Sequence, residues 1–222
     1  MKIDRAGAPF IGAAFLVGLV FMFFGQATLA GVFAGLAGFF CFFFRDPKRH
    51  IPDAPNGVVS PADGRVVFLG VSESGTAPDG NWLQVSIFLS PLDVHVNRVP
   101  VSGVITRVDY QPGRFLPAYR KEAGIENERC ETWIDHCGQI VVCRQIVGIL
   151  ARRVVCRVTP GMAVGLGQRL GIMKFGSRID LFLPPDGLLQ VSVGDIVRGG
   201  ETIVAVLSER EVDKAKSQAF DA

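Results

Sequence analysis

A glycine followed by a serine, Gly176-Ser177, stands between one apolar run (Leu170 to Phe175) and another (Ile179 to Leu183). A glycine carbonyl has no side chain beside it, so a neighbouring hydroxyl can approach closely. Attack by the Ser177 hydroxyl on the Gly176 carbonyl would turn the peptide into an ester. Elimination of that ester would split the chain and leave dehydroalanine, which water converts to a pyruvoyl group with release of ammonia. The result is a ketone, which no ordinary side chain offers. Alone, a Gly-Ser pair is usually a turn; its surroundings decide whether it is more.

Two other segments carry candidate chemistry. In Leu89–Pro100 the polar residues Asp93, His95 and Asn97 alternate with Val94 and Val96, which on a strand puts the three on one face. His95 is the best candidate base of the three histidines in the chain. In Ser60-Pro61-Ala62-Asp63-Gly64 an aspartate sits in a tight turn, where its ordinary role is to bond a nearby backbone amide. An Asp, a His and a Ser can form a relay in which His takes the Ser proton. A serine hydrolase would use the same trio, but Ser177 lacks the Gly-x-Ser-x-Gly elbow. Cys130, Cys137 and Cys143, with His136, lack a Cys-x-x-Cys pair, and no metal site is expected.

The elements that must position these residues follow from composition. From Ala8 to Phe44 no charge appears, and Gly25-Gln26 divides the stretch into about 9–24 and 27–44. Lys2 and Arg5 precede it; Arg45, Lys48 and Arg49 follow it. Basic residues on both flanks predict a membrane hairpin over 1–44 with both ends in the cytoplasm. Residues 45–56, with three prolines, read as a linker. From 57 to 208 short β-like runs alternate with turn signals such as Asp63-Gly64 and Asp186-Gly187, predicting a mainly β, sandwich- or barrel-like domain. A polar tail, 209–222, includes Lys214 and Asp221. Gly161–Leu170 aligns with Gly194–Ile203, 33 residues on, as a pair of similar hairpins expected to pack around Ser177. Five cysteines make no even disulfide framework and suit a reducing compartment. A net charge of +2 indicates no nucleic-acid partner.

Five ordered segments then carry a family resemblance: Ser60–Gly64, Leu89–Pro100, Pro112–Tyr119, Glu126–Arg129 and Lys174–Asp180, within roughly residues 45–208. The chain resembles the phosphatidylserine decarboxylase proenzymes, in the short form found in archaea and many bacteria. The resemblance implies a pyruvoyl-dependent lyase, self-cleaved between Gly176 and Ser177 into a β chain of 1–176 and an α chain from 177, making phosphatidylethanolamine at a membrane. It implies Ser177, His95 and Asp63 as catalytic residues. Long-type members have a second His where Arg98 stands here, so either His95 serves both processing and decarboxylation or water takes one of those roles. Arg98, Arg114 and Arg129 are candidates for the substrate phosphate. The competing readings are a biotinyl- or lipoyl-type carrier modified at Lys174 and a membrane-tethered serine hydrolase.

Overall fold

The computed structural model describes residues 2–73, 75–149, 153–174 and 176–208. The expected polar tail, with Lys214 and Asp221, lies outside the described residues, as does Phe175 of the Gly-Ser motif.

Strand β1 (Lys2–Ile3) leads into a helical hairpin, α1 (Ala8–Phe23) and α2 (Ala27–Phe43). Pro9 suits the first turn of α1, where its missing N–H costs nothing. Gly25, at φ 72°, turns the chain between the helices. The stretch Arg5–Phe23 is long and apolar enough to cross a membrane; Ala27–Phe43 is apolar but shorter. Phe15, Leu16, Leu19, Met22 and Phe23 are exposed, an outward apolar surface that suits lipid rather than water.

The foot of the hairpin is built into the domain. Phe43 and Phe44 are fully buried among Val94, Val96 and Ile172. Both terminal nitrogens of Arg157 donate to Asp4 at 2.6 Å. Strand β2 (Arg45–Asp46) pairs with β1, and Asp46, almost wholly buried, sits between Arg98 and Arg169. The expected linker is therefore anchored at its first residues, and again where Arg49 meets Asp63.

The remaining strands are β3 (Gly57–Val59), β4 (Gly64–Val71), β5 (Leu83–Leu89), β6 (Val96–Arg98), β7 (Gly103–Gln111), β8 (Arg129–His136), β9 (Gln139–Ile146), β10 (Val154–Cys156), β11 (Ala163–Val164), β12 (Arg169–Met173), β13 (Ser177–Leu183), β14 (Leu188–Leu189), β15 (Ile196–Val197) and β16 (Ile203–Val206), with a one-turn helix α3 (Ala123–Glu126). Eight of them form one antiparallel sheet in the order β11-β7-β8-β9-β13-β5-β4-β15. Its two outer strands are not joined to each other among the described residues, so the sheet is open rather than closed into a barrel. Two three-stranded sheets, β14-β16-β3 and β10-β12-β6, complete the domain. Val66, Ile87, Ile134, Cys143 and Ile179 of the large sheet pack with Val58, Leu170, Met173 and Val204 of the small ones in one core.

The two flanks of the large sheet have equivalent registers. On one, Val66 faces Ile87 and the ladder slips by a residue before Phe68; on the other, Ile105 faces Ile134 and the ladder slips before Arg107. A Cβ on Gly64 would lie 2.2 Å from the Phe88 carbonyl, and one on Gly103 would lie 2.1 Å from that of Asp135. Edge strands β15 and β11 close on those two glycines. Further in, β5 faces β13 with Ile87 against Ile179, and β8 faces β9 with Ile134 against Val141. Between β8 and β9 the chain turns in two residues, Cys137-Gly138. Between β5 and β13 it instead travels through residues 90–176, which contain β6 to β12.

Candidate active site

Gly176 adopts φ 67°, a left-handed conformation open to glycine at no steric cost. It delivers Ser177 as the first residue of β13, paired with Leu89 of β5. Alternation along β13 sends Ser177, Ile179 and Leu181 to the core face and Arg178 and Asp180 to the other. Ser177 is fully buried, and its Oγ has no hydrogen-bond partner among the described residues. Leaving a buried hydroxyl unpaired costs about 1–3 kcal/mol.

The carbonyl it would attack is held by sterics. A Cβ on Gly148 would lie 2.2 Å from the Gly176 oxygen and 3.4 Å from the Ala118 Cβ. Only a glycine at 148 leaves that carbonyl its place. Gly148 follows Val147, whose carbonyl accepts from Asn127 Nδ2 at 2.8 Å. Asn127 also exchanges two hydrogen bonds with Leu116, through Nδ2 and Oδ1 at 2.8 Å each. The motifs Pro112–Tyr119 and Glu126–Arg129 thus build the wall behind the glycine carbonyl. Arg178 ties the same loop from below, donating to the Ala118 carbonyl at 3.0 Å and the Arg120 carbonyl at 2.8 Å.

His95 is the candidate base. Its Nδ1 lies 2.9 Å from the Asp93 carbonyl, which can only accept, so the proton is on Nδ1. Nε2 then keeps its lone pair and accepts from the Gly176 N–H at 3.3 Å. The ring packs against Phe43, with centroids 4.2 Å apart. Burial is the main cause that pushes the imidazole pKa down to about 4, against a smaller upward pull from the Asp93 carbonyl and carboxylate. His95 is therefore a neutral base at physiological pH. Asp93 shapes the loop, its carboxylate accepting from Ser90 N at 2.7 Å.

The other expected residues lie elsewhere in the network. Asp63 accepts from Arg49 at 2.8 Å and from Gly199 N at 2.8 Å, and its contacts do not include His95. Arg98 is paired with Asp46. Arg114 makes an exposed pair with Glu126 at 3.0 Å. Arg129 donates to Gln111 and the Ile125 carbonyl and lies 3.8 Å from Glu131. Lys174 is half-buried beside the hairpin, over the ring of Phe10, whereas a carrier lysine must stand clear of its domain. Three contributors were not marked in the sequence: Gly148, Phe43 and Gln145, the last joined in a buried pair at 2.7 Å to Asn97, which was. Gln145 faces Ile179 across the ladder, hence shares the face of Ser177. Their signals were weak, since a glycine after a strand or a phenylalanine in an apolar run is ordinary.

A buried serine without a partner, next to a left-handed glycine, with a neutral histidine on that glycine's amide, defines a serine-centred lyase or acyl-transfer site. Residues 36–205 match the family model described as phosphatidylserine decarboxylase. Curated relatives described as phosphatidylserine decarboxylase proenzyme include that of Desulfotalea psychrophila, 39% identical over 92% of this chain and 96% of its own length. That of Symbiobacterium thermophilum is 43% identical over 93% of this chain and 96% of its own, and that of Nitrosomonas europaea is 42% identical over 91% and 94%. The chain belongs to the phosphatidylserine decarboxylase family and is a decarboxylase of phospholipid headgroups.

Proposed function

We propose that this enzyme is of the short form, that it cleaves itself between Gly176 and Ser177, and that His95 drives both the cleavage and the later proton transfer. The supporting observation is the Gly176 N–H on His95 Nε2 at 3.3 Å, beside the buried, unpartnered Ser177 hydroxyl. His95 Nε2 takes the hydroxyl proton as Oγ attacks the Gly176 carbonyl, and returns it to the departing amide nitrogen of residue 177. The peptide becomes an ester. Loss of the residue-177 α proton expels Gly176 as a carboxylate and leaves dehydroalanine. Water then releases ammonia and leaves the pyruvoyl group on the fragment from 177 onward.

The residues present fit that group: a buried position, a cleared carbonyl pocket at Gly148 and a neutral base. A pyruvoyl ketone supplies the electron sink for loss of CO₂ from an amino-acid headgroup such as that of phosphatidylserine. His95 Nε2 then holds the proton that the headgroup carbon regains, giving phosphatidylethanolamine. Arg98, in the position of a second histidine in long-type members, is already committed to Asp46 and stays protonated, which favours a double role for His95. Asp63 is assigned a supporting role through Arg49 and the Gly199 turn. Arg98, Arg114 and Arg129 remain assigned to the substrate phosphate only where their present partners give way.

The domain reads as an internal repeat wider than the two hairpins. Matched registers support this, as do the left-handed glycines Gly161 and Gly194, then Gly167 and Gly200. The basic flanks assign the hairpin's ends, and so the catalytic domain, to the cytoplasmic face; labelling of a cysteine at position 48 by an impermeant reagent in intact cells would overturn that. Intact mass tests the central claim: the parent gives fragments of 176 and 46 residues. Ser177→Ala gives one chain; if it still splits at this bond, the mechanism is wrong.

A further inference from the structure

The two hairpin helices leave a groove between them. Phe10, Ala13 and Val17 of α1 and Leu36 and Phe40 of α2 line about 500 Å³, and Lys174 reaches into it. The Lys174 ammonium lies 5.0 Å from the centre of the Phe10 ring, and no carboxylate pairs with it among the described residues. Each of the arginines considered for the phosphate has such a partner: Arg98 has Asp46, Arg114 has Glu126 and Arg129 has Glu131. An unpaired ammonium at the head of an apolar groove matches an anion that carries an apolar chain.

At one end the groove is lined by Phe10 and Phe40, which border the apolar cluster beside the site. Phe10 and Phe40 also pack on the cluster of Phe43, Phe44, Val94 and Ile172, and Phe43 covers His95. Along the same helices Leu16 and Val20 face outward. A hydrocarbon chain in the groove would therefore lie against apolar side chains from the outward face of the hairpin to the cluster that Phe43 shares with the His95 ring. Lys174 is three residues ahead of Ser177.

We propose that the groove and Lys174 form one subsite for the body of a glycerophospholipid: an acyl chain lies between α1 and α2, and the Lys174 ammonium holds the phosphate diester. The hairpin is then part of the substrate site and not only a tether. This rests on the decarboxylase reading above.

The full-length enzyme tests it. Lys174→Gln should still give two fragments, while the KM for dioleoyl phosphatidylserine in mixed micelles rises about tenfold or more with kcat little changed. Lys174→Arg, which keeps the charge, should recover most of that loss. Ala13→Phe, at an exposed groove position, should lower kcat/KM for the dioleoyl lipid far more than for tailless glycerophosphoserine. In the parent, mixed micelles of phosphatidylcholine, whose headgroup has no acylatable amine, should protect Lys174 from acylation by an amine-reactive ester, and mixed micelles of diacylglycerol should not; this arm needs no variant to process. The proposal falls if Lys174→Gln processes with an unchanged KM, if Ala13→Phe affects both substrates equally, or if the two micelles shield Lys174 alike. A parent that releases no CO₂ from any serine phospholipid would instead sink the decarboxylase reading.

Discussion

At matching places in the sheet the chain passes a left-handed glycine: Gly138, three residues before Val141, and Gly176, three residues before Ile179. One is followed by Gln139 in a two-residue hairpin and the other, followed by Ser177, is the proposed cleavage site. At Gly138 the turn is a closed two-residue hairpin, with Gly138 N donating to Asp135 Oδ1 at 2.7 Å and Gln139 Nε2 donating to the Ser208 carbonyl at 2.9 Å. At Gly176 the hairpin is opened by residues 90–176. That opening brings in His95, leaves Ser177 Oγ without a partner and lays the Gly176 carbonyl over Gly148. The two turns thus differ in two ways, in the residue after the glycine, Gln139 against Ser177, and in what the long excursion places around it.

The largest effect should come from moving the serine. Ser177→Ala should abolish cleavage, and Gln139→Ser, which writes Gly-Ser into the closed hairpin, should produce none at 138/139. Intact mass reads both. Cleavage at the new pair would mean that the dipeptide alone suffices and would break the comparison.

Gly148→Ala comes next. Its Cβ would displace the Gly176 carbonyl, since 2.2 Å is well inside contact distance. A displacement near 1 Å can slow an intramolecular attack by about 10²-fold. Processing followed by gel in a refolded or freshly translated chain should show that delay at unchanged fold. Processing at the parent rate would remove Gly148 from the site.

The histidine gives a pH signature. His95→Ala should slow processing and abolish turnover. With the imidazole held at about 4, processing in the parent should stay flat from neutral pH to about 5 and fall near 4. Stability carries the same sign. The unfolded chain protonates His95 near 6.5 and the folded one near 4, so stability is complete above 6.5 and lost as pH falls toward 4, by on the order of 3 kcal/mol. Phe43→Ala should admit water to the ring and move the acid limb upward, toward 6.5. An unmoved limb would show that the hairpin foot does not set the base. Removing residues 1–44 takes Phe43 and Phe44 away together, so the truncated domain is expected to process with the same upward shift.

The Gly176-Ser177 pair, His95 and the apolar hairpin were legible because each is a local statement: a dipeptide, an alternating polar strand, an uncharged run. The antiparallel sheet was legible from short runs and Asp-Gly turns, although its open edges were not. The partners of Asp63 were not legible, because only tertiary pairing shows its carboxylate meeting Arg49 and Gly199 N. The alignment of Gly161–Leu170 with Gly194–Ile203 covers, of the large sheet, only the edge strands β11 and β15, which pair with its two flanks. The rest escaped because matched ladders depend on partners up to 92 residues apart, as for Ile87 and Ile179, and their side chains need only be apolar. Gly148 had no local signal, since its role is an absence of volume beside a carbonyl 28 residues on.

The smallest effect lies in the two-residue turn and sharpens the comparison from that side. Cys137 has φ 52° and Gly138 φ 79°, so both turn residues are left-handed, as a type I′ hairpin requires. A cysteine there carries the Cβ penalty of about 1–2 kcal/mol that asparagine largely escapes by bonding its own backbone. Cys137 is exposed and unpaired, so replacement loses no packing or disulfide. Cys137→Asn should therefore stabilise the domain by about 1 kcal/mol, a rise in Tm of about 2–4 °C. The processing rate should not change, because this hairpin is closed and contributes no group to Ser177. An unchanged Tm would mean that the turn is not under this strain. A changed processing rate would mean that the two turns are coupled through β9 and β13, and that the difference between them is not local.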